Sequence, residues 1–195
     1  MAETRDEHRV ARRHREAVEL FTERVHAVGE GQWSAPTPCT DWSVRELVNH
    51  LTVEQLWVPA LVRDGSTIEE QGDRFDGDQL GDDPVATWDR AAEGALAAFA
   101  EPGALERTVH LSSGTDSALA YCSQMTMDAV VHAWDLSRAI GADEQLPRTL
   151  VDFAEREVSP YAADLARTGL FAPAVTPPPG ADAQTKLLSL LGRRP

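Results

Sequence analysis

Residues 121–139 read YCSQMTMDAVVHAWDLSRA, and this stretch decides how the chain can fold. A helix advances 3.6 residues per turn, so positions spaced alternately four and three apart share one face. Here that face consists of Tyr121, Met125, Asp128, His132, Asp135 and Ala139. Its three middle positions are polar within an apolar segment, and burying them without partners would cost several kcal/mol. The stretch therefore predicts a long core helix whose polar centre needs water, a cation or exposure to solvent.

Three earlier segments also show helical spacing of apolar residues together with clear start or stop signals. The first runs from about residue 9 to 28 and ends at glycines. The second begins at Ser43, where Ser43 and Glu46 have the spacing of a capping box, and Pro59 is expected to kink it. The third begins at Asp83, which precedes a proline, the usual order at a helix start.

The remaining segments give few strand signals. Residues 64–83 are predicted to form a loop, and residues 104–117 an extended crossover with at most a short strand. The fourth helix is expected over about 118–140 and a fifth from about Pro147 to Arg167. We therefore expect an all-α protein, a bundle of four main helices with short C-terminal helical additions. Residues 1–195 would form one domain, in which about 170–195 is a C-terminal tail containing a short helix.

The charge of the chain limits what it can bind. Its 18 Lys and Arg against 32 Asp and Glu give a formal net charge of −14. Nucleic acids and anionic membrane surfaces are bound mainly through Lys and Arg, so we expect neither as a partner. Two cysteines are too few for a disulfide framework, and no apolar run approaches the roughly 20 residues that span a bilayer. The cytoplasm is the expected compartment.

The polar centre of the 121–139 helix has the spacing of a metal site. Asp128 and His132 lie one helical turn apart, and carboxylate and neutral imidazole both bind Zn²⁺. A third ligand must come from another helix, and His50 in the second helix is the candidate. Glu54, one turn after His50, is a fourth ligand, a general base or a solvated side chain. Asp135 is expected to hold the second ring nitrogen of a ligand histidine.

Other interpretations of these side chains stay open. Asp128 and His132 could form an ion pair without a metal. Cys39 is expected to pack as a small apolar side chain, although a thiol near a helix N-terminus can also act as a nucleophile. The tryptophans are expected to pack in the core. The histidines expected at the surface are His8, His14, His26 and His110.

Two motifs of the chain resemble a known family. Residues 37–47 read TPCTDWSVREL and are followed by His50, and residues 130–141 read VVHAWDLSRAIG. Both resemble motifs of the DinB-like superfamily, in its mycothiol-dependent maleylpyruvate isomerase branch. The ending LLSLLGRRP, residues 187–195, is similar to the C-terminus of small metal-binding members of that branch.

The resemblance implies a four-helix bundle of up-down-down-up order with one metal ion at one end of its core. Its ligands would be His50, Asp128 and His132, although the isomerase type usually has Glu where this chain has Asp128. Asp135 matches the Asp that follows the metal-binding His in the motif. The isomerase also has a separate C-terminal domain for which this chain leaves no room, so we expect a reaction other than maleylpyruvate isomerisation.

Several functions are compatible with these observations. The first is a transferase or isomerase that uses mycothiol as thiol cosubstrate and a divalent metal, Zn²⁺ or else Ni²⁺ or Fe²⁺, on a small electrophilic molecule. Asp135 or Glu54 would orient a ligand or move a proton. The alternatives are a metal-dependent hydrolase, a non-catalytic metal-binding stress or detoxification module, and a metal-free interaction protein. The expected oligomeric state is a monomer or homodimer.

Overall fold

A computed structural model describes residues 2–39, 41–161 and 171–195, and most of these residues are helical. The helices are α1 (Ala2–His26), α2 (Val44–Val58), α3 (Ile68–Gln71), α4 (Pro84–Phe99), α5 (Ala118–Ile140), α6 (Arg148–Val158) and α7 (Ala183–Leu190). Short 3₁₀ turns occupy Glu30–Gln32, Ala104–Glu106 and Ser159–Tyr161. The strands β1 (Thr108–Leu111) and β2 (Gly114–Ser117) form an antiparallel hairpin. The prediction of a mainly α-helical protein is confirmed.

The start of α2 is fixed by the predicted capping box. The Oγ of Ser43 accepts a hydrogen bond from the backbone N–H of Glu46 at 3.3 Å, and the Glu46 carboxylate accepts one from the backbone N–H of Ser43 at 2.7 Å. At the other end, Pro59 lacks an N–H donor, and the chain continues from Pro59 to Arg63 as a π-helical turn. The capping box fixes where α2 starts along the chain and therefore which of its residues face the interior.

The structure differs from the predicted elements in four places. Residues 64–83, predicted to form a loop, contain the four-residue helix α3. Helix α1 begins at Ala2, well before residue 9, because the charged residues that precede the apolar pattern are also good helix formers. The segment 104–117 was expected to be extended with at most one short strand, but it forms a 3₁₀ turn followed by two paired strands. Helix α6 ends at Val158, and residues 162–167 of the predicted fifth helix lie outside the described residues.

The helices pack in pairs. Helix α1 packs along α5 and α2 packs along α4, while contacts of α1 with α4 and of α2 with α5 join the pairs. Helix α6 packs on α5, and α7 packs on α6. This packing brings the C-terminal segment back towards α5. Among the described residues, no helix is both long and apolar enough to cross a lipid bilayer.

Two clusters of buried apolar side chains fill the interior. Along α1, α2 and α5, buried polar residues mark the boundary between the clusters, among them His14, Gln55 and Thr126. We call these three residues the polar layer, and each of them is at most 1% exposed. The Thr126 hydroxyl donates to the carbonyl oxygen of Cys122 at 2.6 Å and lies 3.3 Å from Nδ1 of His14.

The expectation that His14 lies at the surface is wrong. Its side chain is 1% exposed, and its ring meets the ring of Phe99 edge-on with centroids 5.0 Å apart. Helical spacing places it on the buried face of α1 with Val10 and Ala17, a pattern that the charged residues around it conceal. Burial lowers the pKa of His14 to about 4. His8, His26 and His110 are exposed, as expected.

Candidate metal centre

Helix α5 supplies most of the candidate site, and both of its ends are fixed. The Ser117 side chain accepts a hydrogen bond from the backbone N–H of Ala120 at 3.1 Å, which caps the start. Gly141 ends the helix at a φ of 72°, a left-handed conformation that favours glycine. The apolar residues of α5 are buried against the other helices, so its polar face is held in one orientation.

The structure brings the three predicted metal ligands together. Nε2 of His50 lies 3.3 Å from Oδ2 of Asp128, and Nε2 of His132 lies 3.4 Å from Oδ1 of the same carboxylate. One donor atom from each of the three residues lies within 4.8 Å of the other two. We call His50, Asp128 and His132 the ligand cluster. Helices α2 and α5 therefore converge on one carboxylate with two imidazoles around it.

A second carboxylate holds the far side of the His132 ring. Asp135 is 0% exposed, and its Oδ2 accepts a hydrogen bond from Nδ1 of His132 at 2.9 Å. Burial alone would raise the pKa of Asp135, but hydrogen bonds from His132 and Arg193 outweigh it and hold the pKa below its usual range. Because the ionised carboxylate accepts a hydrogen bond from Nδ1, Nε2 is the ring nitrogen turned to the ligand cluster.

The ligand cluster favours positive charge. Burial opposes ionisation of Asp128, yet the nearby His132 and then His50 hold the pKa of Asp128 well below its ordinary value. Burial would likewise lower the pKa of His132, but the charge of Asp128 and the hydrogen bonds that the ring makes to Asp135 and Cys39 raise it well above its ordinary value. A proton on this imidazole thus supplies the charge that a bound cation would otherwise supply.

The donor set also suits a divalent cation in shape. Ligands that share a tetrahedral zinc ion at about 2.0–2.1 Å stand about 3.3 Å apart, close to the 3.3 and 3.4 Å that separate the two imidazole nitrogens from the Asp128 oxygens. The His50 and Asp128 side chains are 30% and 23% exposed, whereas that of His132 is 6% exposed. Three protein donors with one side open to solvent can hold an ion and leave room for an outside ligand.

Glu54 lies beside the ligand cluster without entering it. It is partly buried on α2. Burial raises its pKa, the charge of Asp128 raises it further, and the imidazoles of His50 and His132 lower it. It is not among the donors that lie within 4.8 Å of one another. Its position and raised pKa are those of a side chain that can take up a proton near the site.

The Trp42 side chain lies against the ligand cluster, a position that the sequence pattern did not predict. The Trp42 ring lies over His50 with centroids 4.7 Å apart and over His132 with centroids 5.9 Å apart. Trp42 was expected to pack in the core with the other tryptophans. The only sequence signal for its position was that it directly precedes the capping box of the helix that carries His50.

Cys39 and Arg193 were also missed as parts of the site. The Cys39 Sγ lies 3.3 Å from Oδ2 of Asp135 and 3.8 Å from Nδ1 of His132. Cys39, His132 and Asp135 form a second group of possible ligands. The Arg193 guanidinium, however, lies 2.7 Å from Asp135 and 3.5 Å from the Cys39 sulfur, so a cation already neutralises this group. The ligand cluster is the better place for a metal ion.

Comparison with known proteins places the chain in a family. A sequence profile described as "Mycothiol maleylpyruvate isomerase N-terminal domain" matches residues 14–137, a range that contains the ligand cluster and Asp135. Two uncharacterized proteins of Mycobacterium tuberculosis, from strains CDC 1551 / Oshkosh and ATCC 25618 / H37Rv, are each 31% identical over 133 residues, 68% of this chain and 68% of theirs. No solved structure matches the chain. The chain belongs to the mycothiol maleylpyruvate isomerase N-terminal domain family, a DinB-like family.

Proposed function

We propose that this protein is a metal-dependent enzyme that uses mycothiol in a transferase or isomerase reaction on a small electrophilic molecule. The observation that carries the proposal is the ligand cluster: two imidazoles and one carboxylate that converge from two helices and remain open on one side. A structural metal site is closed by a fourth protein ligand, whereas a catalytic site keeps a position for water or substrate. Membership of a mycothiol-related family supports the choice of thiol.

Each residue of the site then has a role. His50, Asp128 and His132 would hold the divalent cation, Zn²⁺ first and Ni²⁺ or Fe²⁺ as alternatives that suit the same donors. Such a cation, when bound, stabilises a thiol as its thiolate at neutral pH. Glu54 would accept the proton that the thiol releases, and Asp135 would keep the His132 ring in place.

We infer an architecture to go with this chemistry. The four long helices α1, α2, α4 and α5 would form an up-down-down-up bundle, and residues 1–195 one domain. The mutual packing of α1 with α5 and of α2 with α4 supports the bundle, and the packing of α7 on α6 supports the single domain. The enzyme would work in the cytoplasm as a monomer or homodimer, with no nucleic-acid or membrane partner.

The first test is the metal content of protein purified without an affinity tag. We expect about one divalent metal ion per chain, and loss of the metal in His50→Ala and in His132→Ala. His26→Ala is the matched control, because His26 is exposed and its imidazole pairs with Asp89 instead. A wild-type protein with no metal would refute the proposal.

The second test is thiol transfer. The metal-loaded protein, incubated with mycothiol and monochlorobimane, should form the thioether faster than the protein-free reaction, and chelation should abolish the difference. A panel of small electrophiles would then define the substrate class. Ester or amide cleavage that needs the metal but no thiol would instead identify a hydrolase, and a bound metal with neither activity would identify a non-catalytic module.

A further inference from the structure

Arg193 lies far outside the matched family region, residues 14–137, yet its side chain reaches the site. Its Nε donates to Oδ1 of Asp135 at 3.2 Å, and its Nη2 donates to Oδ2 at 2.7 Å. The guanidinium therefore binds both oxygens of one carboxylate, a geometry that fixes orientation as well as charge. Both side chains are almost fully buried, at 9% exposure for Arg193 and 0% for Asp135.

The backbone around Arg193 is held just as firmly. Its N–H donates to the carbonyl oxygen of Leu188 at 2.9 Å, and its Nη1 donates to the carbonyl oxygen of Leu191 at 2.9 Å. Gly192 has a φ of 80°, and a Cβ built there would stand only 2.6 Å from the carbonyl oxygen of Ala172. The tail can therefore reach this position only with glycine before Arg193.

The contacts form a continuous chain from the tail to the ligand cluster. Arg193 donates hydrogen bonds to Asp135, and Asp135 accepts a hydrogen bond from Nδ1 of His132. Nε2 of His132 in turn faces Asp128. Oδ2 of Asp135 is shared by His132, Cys39 and Arg193, while Oδ1 has Arg193 as its only partner among the described residues. Without Arg193 the carboxylate would keep contacts at Oδ2 alone, with His132 and Cys39, and Oδ1 would lose the hydrogen bond that fixes the plane of the group.

We propose that Arg193 is a positioning residue: the C-terminal segment completes the metal centre by orienting His132 through Asp135. This inference rests on the proposed function, because it assigns the orientation of a metal ligand. Arg193 acts through another residue, since the described hydrogen bonds of its side chain go to Asp135, Cys39 and the Leu191 carbonyl oxygen and not to the ligand cluster. Its guanidinium stays charged throughout the physiological pH range.

The test compares three variants of the full chain. Arg193→Gln removes the charge and one side of the bidentate contact, and Arg193→Lys keeps the charge without the planar fork. Arg194→Gln is the matched control, because Arg194 is the exposed neighbour with the same charge. Zinc affinity is measured by competition with a chelating dye. We expect Arg193→Gln to weaken it about 10–100-fold, Arg193→Lys to recover part of the loss, and Arg194→Gln to match the wild type.

A second readout separates positioning from simple anchoring of the tail. In ¹⁵N-labelled metal-free protein, NMR of the imidazole nitrogens reports whether Nδ1 of His132 carries a hydrogen-bonded proton. We expect that resonance in the wild type and in Arg194→Gln, and its loss or broadening in Arg193→Gln. A tail that served only for stability would lower the melting temperature in Arg193→Gln and leave the His132 resonance unchanged.

The outcomes distinguish this inference from the proposed function. If the wild type binds zinc through His50 and His132, and Arg193→Gln binds it equally well, the positioning role is wrong and the metal centre stands. If the wild type binds no zinc, the proposed function fails, and the imidazole spectra still decide whether Arg193 orients His132. Unchanged spectra in Arg193→Gln would overturn the inference in either case.

Discussion

Asp135 holds His132 by a hydrogen bond of 2.9 Å to Nδ1, three residues apart on the same helix and fully buried. Side chains at i and i+3 lie on the same side of a helix, so His132 and Asp135 share one face of α5. Because this bond occupies Nδ1, Nε2 is the ring nitrogen that faces the ligand cluster, 3.4 Å from Asp128. The orientation of one ligand is thus decided by a carboxylate that does not itself belong to the ligand cluster.

Replacing that carboxylate should weaken the metal site and the fold together. In Asp135→Asn the amide oxygen can still accept a hydrogen bond from His132, but the side chain no longer carries the charge that pairs with buried Arg193. We expect a loss of about 3–5 kcal/mol in the free energy of unfolding and of about 10–100-fold in zinc affinity. Urea unfolding and chelator competition measure the two quantities. Asp41→Asn, at an exposed position of the same motif, should change neither. Wild-type zinc affinity in Asp135→Asn would refute the orienting role.

Substitution by leucine should have opposite effects on stability at two glutamines, Gln55 in the polar layer and Gln184 in α7. Both polar atoms of the Gln55 side chain are buried without a hydrogen bond, whereas the Gln184 amide donates to the carbonyl oxygen of Glu144 at 2.9 Å and accepts from the backbone N–H of Leu146 at 2.9 Å. Gln55→Leu should therefore raise the free energy of unfolding by about 1 kcal/mol or more, and Gln184→Leu should lower it by a similar amount. Urea unfolding measures both. A lower stability of Gln55→Leu would indicate that buried water satisfies the amide.

The starts of α2 and α4 were the most predictable part of the fold. Ser43 with Glu46, and Asp83 before a proline, satisfy backbone N–H groups locally, so a few residues suffice to specify them. The 104–117 hairpin was less predictable, since its two strands are four residues each and only one residue of them is buried. Short strands with so little hydrophobic alternation have almost no sequence pattern.

The site was predictable where its members share a helix. Asp128, His132 and Asp135 follow from the spacing of one helix, and His50 was the candidate from a second helix before the resemblance pointed to the same residue. Arg193 comes from a segment more than 50 residues away along the chain, and only the packing of α7 on α6 brings it to Asp135. Local periodicity carries no information about such a contact, so no pattern within α5 could have indicated it.

Glu54 should matter for turnover more than for metal binding. Burial, aided by the charge of Asp128, raises the pKa of Glu54 and makes it a better proton acceptor near neutral pH. Glu54→Gln keeps the shape and removes the base, so we expect normal metal content and a rate of thioether formation about 100-fold lower. Glu69→Gln, at an exposed position of α3, is the control. If metal content falls with the rate, Glu54 is a fourth ligand and not a base.

Alanine substitutions at two glycines of the C-terminal segment distinguish the effect of backbone strain from that of a steric clash. Gly180 and Gly192 have similar φ values of 77° and 80°, but an added Cβ has open space at Gly180 and meets Ala172 at Gly192. Gly180→Ala should therefore lower the free energy of unfolding by about 1 kcal/mol through strain alone. Gly192→Ala should lose more, and its zinc affinity should fall as in Arg193→Gln because the tail must shift. Equal effects of the two substitutions on stability and zinc affinity would contradict the close approach.

His14 predicts a particular dependence of stability on pH. Burial lowers its pKa in the folded protein to about 4, from an ordinary value of 6.5 that applies to the unfolded chain. Between these values the unfolded chain binds a proton that the folded protein does not, so stability falls as pH drops from 6.5 through 4. The full effect is about 3 kcal/mol. Unfolding by urea at pH 7.5, above that window, and at pH 4, at its lower edge, measures it.

The variant His14→Met isolates this contribution from the other acidic groups of the protein. The wild type and the variant share every other titrating group, so the difference between their stabilities at the two pH values reports His14 alone. We expect the variant to lose about 3 kcal/mol less than the wild type on acidification. His110→Gln, at an exposed position, should behave as the wild type does. Identical losses in His14→Met and the wild type would mean that His14 becomes protonated inside the fold without cost, which its unpartnered Nε2 and its contact with Phe99 argue against.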